Sequence, residues 1–449
     1  MSFISFLRRN VIEPLYYKKV GSPRLWAWHE LEKSQFFDFS VLQQRQWEKL
    51  ERLLAYVENN NSFYKQLLQQ QQLKAVDILS SEDFLAWPVL TKKTIRKEGL
   101  NLLSDGFTAQ ELMHFKTGGS TGRALDIYLT EECSERRNAC ARRHDRWSGW
   151  EAGEPVAAIW GNPKLPVTTR EKLRNFLLDP VMYLDTMRVT PEAILAFCKE
   201  WRRKQPTLIF GHAHSIFLLA EGLRDLGITD IRPNGIISSS MMLLPHERVA
   251  IERCFGVKVT DRYGCEEVSL IACECEQHNG MHLNIDHLYI EFLREDGTPA
   301  APDEEGRIVV TDLLNMSMPL IRYEVEDVGV PTSRLCACGR GLPLMERVTG
   351  RVADFLVRSD GSKVAGISLI ENTLTYFPGL DQMQIVQHGL EHFEINLVRG
   401  EELNDAVMRE LKQYFISQFG SNVRFDFLFV DEIPPEKNGK FRFSICKLD

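Results

Sequence analysis

The chain has 449 residues and is 44% hydrophobic, and its 62 acidic side chains outnumber 54 basic ones to give a formal charge of −8. A chain of this length is too long for one hydrophobic core, so we expect at least two domains. The mildly acidic balance gives no electrostatic footprint for nucleic acid, and no apolar run approaches the roughly 20 residues that span a bilayer. Neither nucleic-acid binding nor a transmembrane segment is therefore predicted.

The first segment, "MSFISFLRRNVIEPLYYKK", resembles a targeting sequence only superficially. Arg8, Arg9 and Asn10 interrupt its apolar positions, and no small-residue cleavage site follows, so a secretory signal is not predicted. We predict a helix lying on the surface of the domain, with an amphipathic helix on a membrane surface as the alternative. The ten cysteines of so large a chain fit reduced thiols better than a disulfide framework, which predicts a cytoplasmic protein.

The next elements predict an α/β fold. A long helix is predicted over residues 40–70 with Ser40 as its cap, followed by a strand in "ALDIYLT". From Glu154 onward, short apolar runs such as "PVAAIWG", "TLIFG", "GIISSS" and "VKVTDRYG" alternate with helices, among them "TPEAILAFCKEW" with Thr190 as its cap. Strands and helices that alternate at this spacing indicate a mostly parallel sheet covered by helices.

The last third of the chain changes character twice. From His287 the pattern predicts a hairpin that turns at Asp296 and Gly297. After Gly350 a hairpin, a strand, a helix ending at Gly420 and the alternating strand "VRFDFLFV" make a small α+β unit of about 100 residues. We therefore place the domains at 1–350 and 351–449.

A glycine-rich stretch, "TGGSTG", interrupts the chain before "ALDIYLT". Its three glycines allow close approach of a ligand and positive φ, and its hydroxyls and backbone N–H groups suit phosphate oxygens. An ordinary flexible loop is the alternative. A P-loop is a poor match because Gly122 is followed by Arg123 and Ala124 instead of lysine and a hydroxyl residue.

The stretch "TGGSTGR" resembles the phosphate loop of the adenylate-forming superfamily, the acyl-CoA synthetases and their relatives. Four further segments resemble that family and occur in its order: "DRYGCEE", "PLIRYEVEDVG", "GRVADFL" and "PPEKNGKFRF". Their spacing, together with "CACGRGLPLMERVTGR", is similar to the phenylacetate–CoA ligase-like branch, which includes the CapK-type proteins. The resemblance implies a large N-terminal adenylation domain and a small, mobile C-terminal domain.

The resemblance also implies roles for residues before position 350. Glu267 would hold Mg²⁺ against the phosphates, as hard oxygen ligands do, and Asp327 would accept the ribose hydroxyls. Glu266 replaces the family's threonine, and Val325 and Glu326 replace its usual Thr-Gly. The residues implied to contact nucleotide are Thr117, Gly118, Gly119, Ser120, Thr121, Gly122, Ser239, Ser240, Tyr263, Gly264 and Asp327.

Three positions after residue 350 match functional positions of the family's small C-terminal domain and its hinge. Arg351 matches an arginine that reaches the ribose or phosphate, and Asp354 matches the hinge. Ala353 removes the first of the two acids often found there. Lys440, six residues after Pro434, matches the lysine that catalyses adenylation.

Two Cys-x-Cys pairs lie about 60 residues apart, and the first is followed by His278 and His282. Thiolates and imidazole suit tetrahedral Zn²⁺, and some members of the resembled group carry a structural zinc. Four unrelated thiols are the alternative. We predict a structural zinc with Cys273 and His278 as reserve ligands and the following preferred set: Cys275, His282, Cys336 and Cys338.

The sequence therefore predicts an enzyme that uses ATP and Mg²⁺ to convert a carboxylic acid into an acyl-adenylate, with coenzyme A as the expected acceptor. An amine or hydroxyl acceptor is the alternative within this chemistry, and a non-catalytic nucleotide-binding descendant is the alternative outside it. The acid itself is left open, with its pocket expected around residues 210–214 and 238–263. A homodimer is one candidate for the oligomeric state.

Overall fold

The computed structural model describes residues 2–116, 125–161, 163, 165–349, 355–377, 379–400, 403–433 and 442–448. Its α-helices are α1 Phe3–Leu7, α2 Glu13–Val20, α3 Arg24–Ser34, α4 Phe39–Asn60, α5 Ser62–Gln71, α6 Ser81–Phe84, α7 Lys92–Glu98, α8 Glu131–Trp147, α9 Thr169–Leu177, α10 Pro191–Lys204, α11 Ala213–Asp225, α12 Pro245–Phe255, α13 Gly366–Tyr376 and α14 Asp405–Phe419. A π-helical turn, Arg8–Ile12, joins α1 to α2.

The strands form one large sheet, one smaller sheet and two hairpins. They are β1 Met113–Lys116, β2 Asp126–Leu129, β3 Val156–Trp160, β4 Val181–Asp185, β5 Leu208–His212, β6 Gly235–Ser239, β7 Val259–Cys265, β8 Ser269–Glu274, β9 Met281–Leu283, β10 Leu288–Leu293, β11 Gly306–Asp312, β12 Tyr323–Thr332, β13 Leu344–Thr349, β14 Phe355–Val357, β15 Lys363–Ala365, β16 Leu380–Gly389, β17 His392–Arg399, β18 Arg424–Phe429 and β19 Ser444–Cys446.

The large sheet has the strand order β10-β11-β12-β13-β9-β8-β7-β6-β5-β3-β4. Strands β4, β3, β5, β6 and β7 pair in parallel, with α10, α11 and α12 among their crossovers. Every pair from β7 to β10 is antiparallel. The predicted α/β class is confirmed, but the sheet is mixed instead of mostly parallel. The reason is that the short links after β7 allow hairpins and leave no room for crossover helices.

The C-terminal unit has its own four-stranded sheet, in the order β18-β17-β16-β19. Phe393, Phe415 and Phe419 lie in its core and are almost fully buried. Helix α14 ends before Gly420, whose φ of 105° a residue with a side chain rarely adopts, as the sequence predicted. The predicted domain boundary at residues 350–351 lies outside the described residues, so it stays a prediction.

The long helix predicted over residues 40–70 is two helices. Helix α4 begins at Phe39, after Asp38, so Ser40 lies within the first turn and is not the cap. The backbone becomes extended at Asn61, whose side chain accepts a hydrogen bond from the N–H of Tyr64 and starts α5. The predicted cap of α10 is confirmed, because the Thr190 side chain accepts from the N–H of Ala193.

No helix among the described residues is both long enough and apolar enough to cross a membrane.

Candidate functional site

The carboxyl ends of β6 and β7 carry the first group of predicted site residues. These strands are parallel, with Ser239 opposite Arg262, so Ser239 and Ser240 lie at the edge where ligands bind in parallel sheets. Ser240 has a left-handed φ of 66°. Beneath them, Ser238 donates to Asp261 at 2.8 Å, and burial, together with the neighbouring charge of Glu274, raises the pKa of Asp261 to about 7.

Two reciprocal hydrogen bonds join β7 and its following turn to β12. The hydroxyl of Tyr263 donates to Oδ2 of Asp327 at 2.9 Å, and the hydroxyl of Tyr323 donates to Oε1 of Glu267 at 3.0 Å. Tyr263 and Glu267 are four residues apart, and so are Tyr323 and Asp327. The first residue of each segment bonds to the last residue of the other, so the two segments run antiparallel. The structure therefore brings three sequence-predicted residues, Tyr263, Glu267 and Asp327, into one site.

Gly264 is required between these contacts. A Cβ atom there would lie 2.5 Å from the carbonyl oxygen of Ser269, on the neighbouring strand β8. Any side chain would push β7 and β8 apart and move the adjacent Tyr263.

Glu267 is 5% exposed, and both its side chain and its backbone carbonyl accept hydrogen bonds. Besides the Tyr323 contact, its backbone carbonyl accepts from Arg137 of α8 at 2.9 Å, and Arg137 forms a buried ion pair with Asp312 of β11. Burial and the charge of Glu267 raise the pKa of Tyr323 well above its ordinary value, so its hydroxyl stays a donor.

Sequence reasoning missed Tyr323, Arg137 and Asp312. Tyr323 could have been found, because it lies within the segment "PLIRYEVEDVG" that pointed to Asp327. Arg137 and Asp312 belong to no matched segment, and only the fold brings them together.

Glu326 occupies a position where the resembled family usually has glycine, and its φ is 71°. That left-handed conformation is costly for a residue with a side chain. The carboxylate of Glu326 lies 2.8 Å from Nζ of Lys92, a residue that is 3% exposed and lies in the first turn of α7. The ion pair fixes Glu326 in this conformation, and Asp327 follows directly.

An aromatic group lies at the ends of β3 and β5, where the acid pocket was expected. The rings of Trp160 and His212 are 3.8 Å apart between centroids, and those of Trp160 and Phe210 stack at 5.5 Å. Burial lowers the pKa of His212 to about 3, so its imidazole is neutral. Trp160 was not predicted as a pocket residue.

Several predicted residues lie outside the described residues: Thr117, Gly118, Gly119, Ser120, Thr121, Gly122, Arg351, Asp354 and Lys440. The structure does show what flanks the glycine-rich stretch. It connects β1 to β2, an antiparallel hairpin in which Lys116 lies opposite Asp126.

The predicted zinc ligands come together at the other end of β8. Cys275 follows β8, His282 lies in β9, and Cys336 and Cys338 lie in the loop between β12 and β13. The Sγ atoms of Cys275 and Cys336 are 3.6 Å apart, and Sγ of Cys338 is 3.3 Å from Nε2 of His282. All four donor atoms lie within 4.8 Å of one another.

This cluster fits a structural zinc. Nδ1 of His282 donates to the carbonyl oxygen of Leu342 at 3.0 Å, which leaves Nε2 free to bind a metal, and burial lowers the pKa of this imidazole to about 4. Three sulfurs and one nitrogen make a closed tetrahedral set without an open position. The reserve candidates Cys273 and His278 are not part of the cluster.

The family model of the CapK C-terminal domain matches residues 356–447. Protein CapK of Staphylococcus aureus is 23% identical over 406 residues, which cover 89% of this chain and 88% of that protein. These matches support the predicted phenylacetate–CoA ligase-like and CapK branch of the adenylate-forming superfamily.

Further comparisons agree with this branch. Phenylacetate-coenzyme A ligase of Escherichia coli (strain K12) is 32% identical over 173 residues, 37% of this chain and 36% of that enzyme. The fold is similar to that of 2-hydroxyisobutyryl-CoA ligase in complex with 2-HIB-AMP and CoA, with a TM-score of 0.60, 18% identity and 90% coverage of both chains. The predicted family and the predicted enzyme class, an adenylate-forming ligase, are confirmed.

Proposed function

We propose that this member of the CapK branch joins a carboxylic acid to AMP with release of pyrophosphate, and then transfers the acyl group to coenzyme A. The observation that carries the proposal is the pair of reciprocal hydrogen bonds, Tyr263 to Asp327 and Tyr323 to Glu267. They hold a carboxylate suited to ribose hydroxyls beside a buried carboxylate suited to a metal ion.

In each half-reaction one bond to the group that is transferred forms and another breaks. In the first, an oxygen of the substrate carboxylate forms a bond to the α-phosphorus of ATP, and the bond from that phosphorus to pyrophosphate breaks. In the second, the thiol sulfur of coenzyme A forms a bond to the acyl carbon, AMP leaves with the electron pair, and the thiol proton is released. Carboxylate and α-phosphate are both negative, so the first step requires cations between them.

The chain's residues divide this work. Glu267 would hold Mg²⁺, which supplies charge neutralisation at the phosphates, and Lys440 would place its ammonium at the reacting oxygens. Asp327 would bind the ribose, and Tyr263 would border the adenine with the backbone at Ser239 and Ser240. The glycine-rich stretch 117–122 would bind phosphate, Arg351 would reach the ribose or phosphate, and Asp354 would be the hinge of the 351–449 domain.

The Cys/His cluster would hold a structural Zn²⁺ that links the β8–β9 turn to the loop after β12 and takes no part in the reaction. For the acid, the aromatic group of Trp160, Phe210 and His212 favours a substrate with an apolar or aromatic body, because planar rings pack against such walls.

ATP–pyrophosphate exchange across a panel of aryl, arylacetic and short aliphatic acids tests the proposal. We expect at least one acid to support exchange, and Glu267→Gln to lower that rate more than about 100-fold. The matched control is Glu154→Gln. Glu154 is equally buried and hydrogen-bonded, but it lies at the amino ends of the parallel strands, away from the candidate site at their carboxyl ends. Full exchange in Glu267→Gln would contradict the assignment, and no exchange with any acid would favour the non-catalytic alternative.

The acceptor is tested separately. With the acid that supports exchange, AMP release should depend on coenzyme A and yield the thioester. Release that responds to amines or alcohols but not to coenzyme A would favour a biosynthetic transfer to those acceptors.

A further inference from the structure

The N-terminal segment 3–20 packs on the protein with its polar side inward. Its fully buried residues are all polar or amphipathic: Ser5, Arg8, Glu13 and Tyr17. Its exposed residues include an apolar row: Phe3, Phe6, Val11, Leu15 and Val20. Phe3 is 77% exposed and Leu15 is 63% exposed, although a surface helix ordinarily turns such residues toward the core.

Hydrogen bonds and ion pairs hold the polar side in place. Nε of Arg8 donates to the carbonyl oxygen of Phe176 at 2.8 Å, and Nη1 donates to that of Gly153 at 3.2 Å. The carboxylate of Glu13 pairs with Arg142 of α8 at 2.6 Å. Because these contacts are specific, the outward direction of the apolar row is determined by the fold.

The π-helical turn Arg8–Ile12 keeps this arrangement in register. The N–H of Glu13 bonds to the carbonyl of Arg8, five residues back, so Arg8 and Glu13 stay on the buried side. The same spacing keeps Phe6 and Val11 on the exposed side. In an uninterrupted α-helix, five residues advance about 500°, and Glu13 would turn away from Arg142.

Helix α9 extends the exposed apolar row. It buries no residue, and Leu173 and Phe176 are 55% and 51% exposed. The guanidinium of Arg8 lies 5.0 Å from the centre of the Phe176 ring, so this helix lies directly beside segment 3–20. We define the docking face as segment 3–20 together with Leu173 and Phe176.

The exposed charge that ion pairs leave on this face is mainly basic, whereas the whole chain has a net charge of −8. Arg8 is buried, and Arg9, Arg24 and Arg174 pair with Glu151, Glu135 and Asp179. Lys18, Lys19, Arg170 and Lys172 are exposed. Exposed phenylalanines with a basic rim are typical of helices that lie in the interface of an anionic bilayer.

We propose that the docking face places this enzyme on an anionic membrane surface, with Phe3 and Phe6 inserted at the headgroup boundary. A second copy of the chain fits less well. A symmetric dimer through this face would bring the same basic residues of both copies together, which is unfavourable.

Sedimentation with vesicles tests the proposal on the full chain. We expect binding to vesicles of phosphatidylcholine with about one-third phosphatidylglycerol, and weak binding to phosphatidylcholine alone. Phe3→Ser/Phe6→Ser should lower the partition coefficient by about tenfold or more. Lys18→Glu/Lys19→Glu should weaken binding to the anionic vesicles, and so should raised salt.

The matched control is Val76→Ser/Leu79→Ser, which changes residues of similar exposure elsewhere in the chain and should bind like the parent. Unchanged thermal midpoints show that each variant is folded. Absence of binding to anionic vesicles, or equal binding by the parent and the phenylalanine variant, would overturn the proposal. A dimer in lipid-free buffer that Phe3→Ser/Phe6→Ser abolishes, without vesicle binding, would assign the face to a second copy and overturn it as well.

Discussion

Tyr323→Phe is the sharpest perturbation of the candidate site, because it removes one oxygen and leaves the ring in place. The deleted hydroxyl donates to Oε1 of Glu267 at 3.0 Å, and the tyrosine is fully buried. Without that bond, the Glu267 carboxylate can rotate away from the position in which it would hold Mg²⁺.

The magnitude follows from the type of bond. A hydrogen bond to a charged group contributes about 1.5–3 kcal/mol, and each 1.4 kcal/mol corresponds to a factor of ten. If about half of this stabilisation is expressed in positioning the metal ligand, ATP–pyrophosphate exchange should fall by roughly three- to tenfold. Raised Mg²⁺ should restore part of the loss, because a poorly oriented ligand lowers metal affinity first.

Tyr64→Phe provides the control. Tyr64 is 1% exposed, and its hydroxyl donates to the carbonyl of Pro319 at 2.8 Å, so the same atom is removed from an equally buried ring. Both variants should lower the unfolding free energy, Tyr323→Phe by about 1.5–3 kcal/mol and Tyr64→Phe by about 1–3 kcal/mol, because the Tyr64 hydroxyl also accepts from the N–H of Ile321 at 3.2 Å. Only Tyr323→Phe should change the Mg²⁺ dependence of exchange. Equal activity in the two variants, at every Mg²⁺ concentration, would refute the positioning role of Tyr323.

Three other predictions address separate parts of the chain. Lys440→Ala should lower the rate of adenylation by about 10³-fold but leave thioester formation from supplied acyl-adenylate unchanged. Asp354→Pro should leave adenylation unchanged and block acyl transfer to coenzyme A. Equal loss of both steps in both variants would contradict a swinging domain. Elemental analysis of freshly purified protein should find about one zinc per chain. Cys336→Ser should lower the zinc content and the thermal midpoint more than it lowers the exchange rate, and a parent protein without zinc would contradict this prediction. The folded pKa of Asp261 is about 7, above the value near 4 of an unfolded carboxyl, so the unfolding free energy should decrease as the pH rises from about 4 to about 7; Asp261→Asn should flatten that slope in urea melts, and an unchanged slope would count against burial of the carboxyl.

Local patterns predicted much of the fold. The cap at Thr190, the end of α14 at Gly420 and the strand–helix alternation after Glu154 depend on neighbouring residues, and the structure has them as predicted. The break at Asn61 was missed because Tyr64 and Leu68 continue the apolar spacing that Val57 ends in α4. A single side chain that caps the next helix outweighs such spacing.

The Cys/His cluster shows how much of a metal site the spacing of cysteine and histidine in the sequence can predict. Pairs of cysteines near a histidine predicted that two loops meet, and the structure brings the preferred four side chains together. The structure explains why the cluster contains Cys275 and not the reserve candidate Cys273. Cys273 is held within β8 by the ladder, whereas Cys275 follows the strand and lies against the loop after β12, with its Sγ 3.6 Å from that of Cys336.

The contact of Glu326 with Lys92 lay beyond sequence reasoning, since 234 residues separate the two. Taken alone, glutamate in place of the family's usual glycine indicates a decayed site, because the left-handed backbone there disfavours a side chain. The structure keeps that backbone and places a buried lysine against the carboxylate. An ion pair with a lysine that is 3% exposed makes the Glu326 carboxylate part of the packed structure. The departure at Glu326 therefore does not argue against catalysis, and the case for a non-catalytic descendant loses one of its reasons.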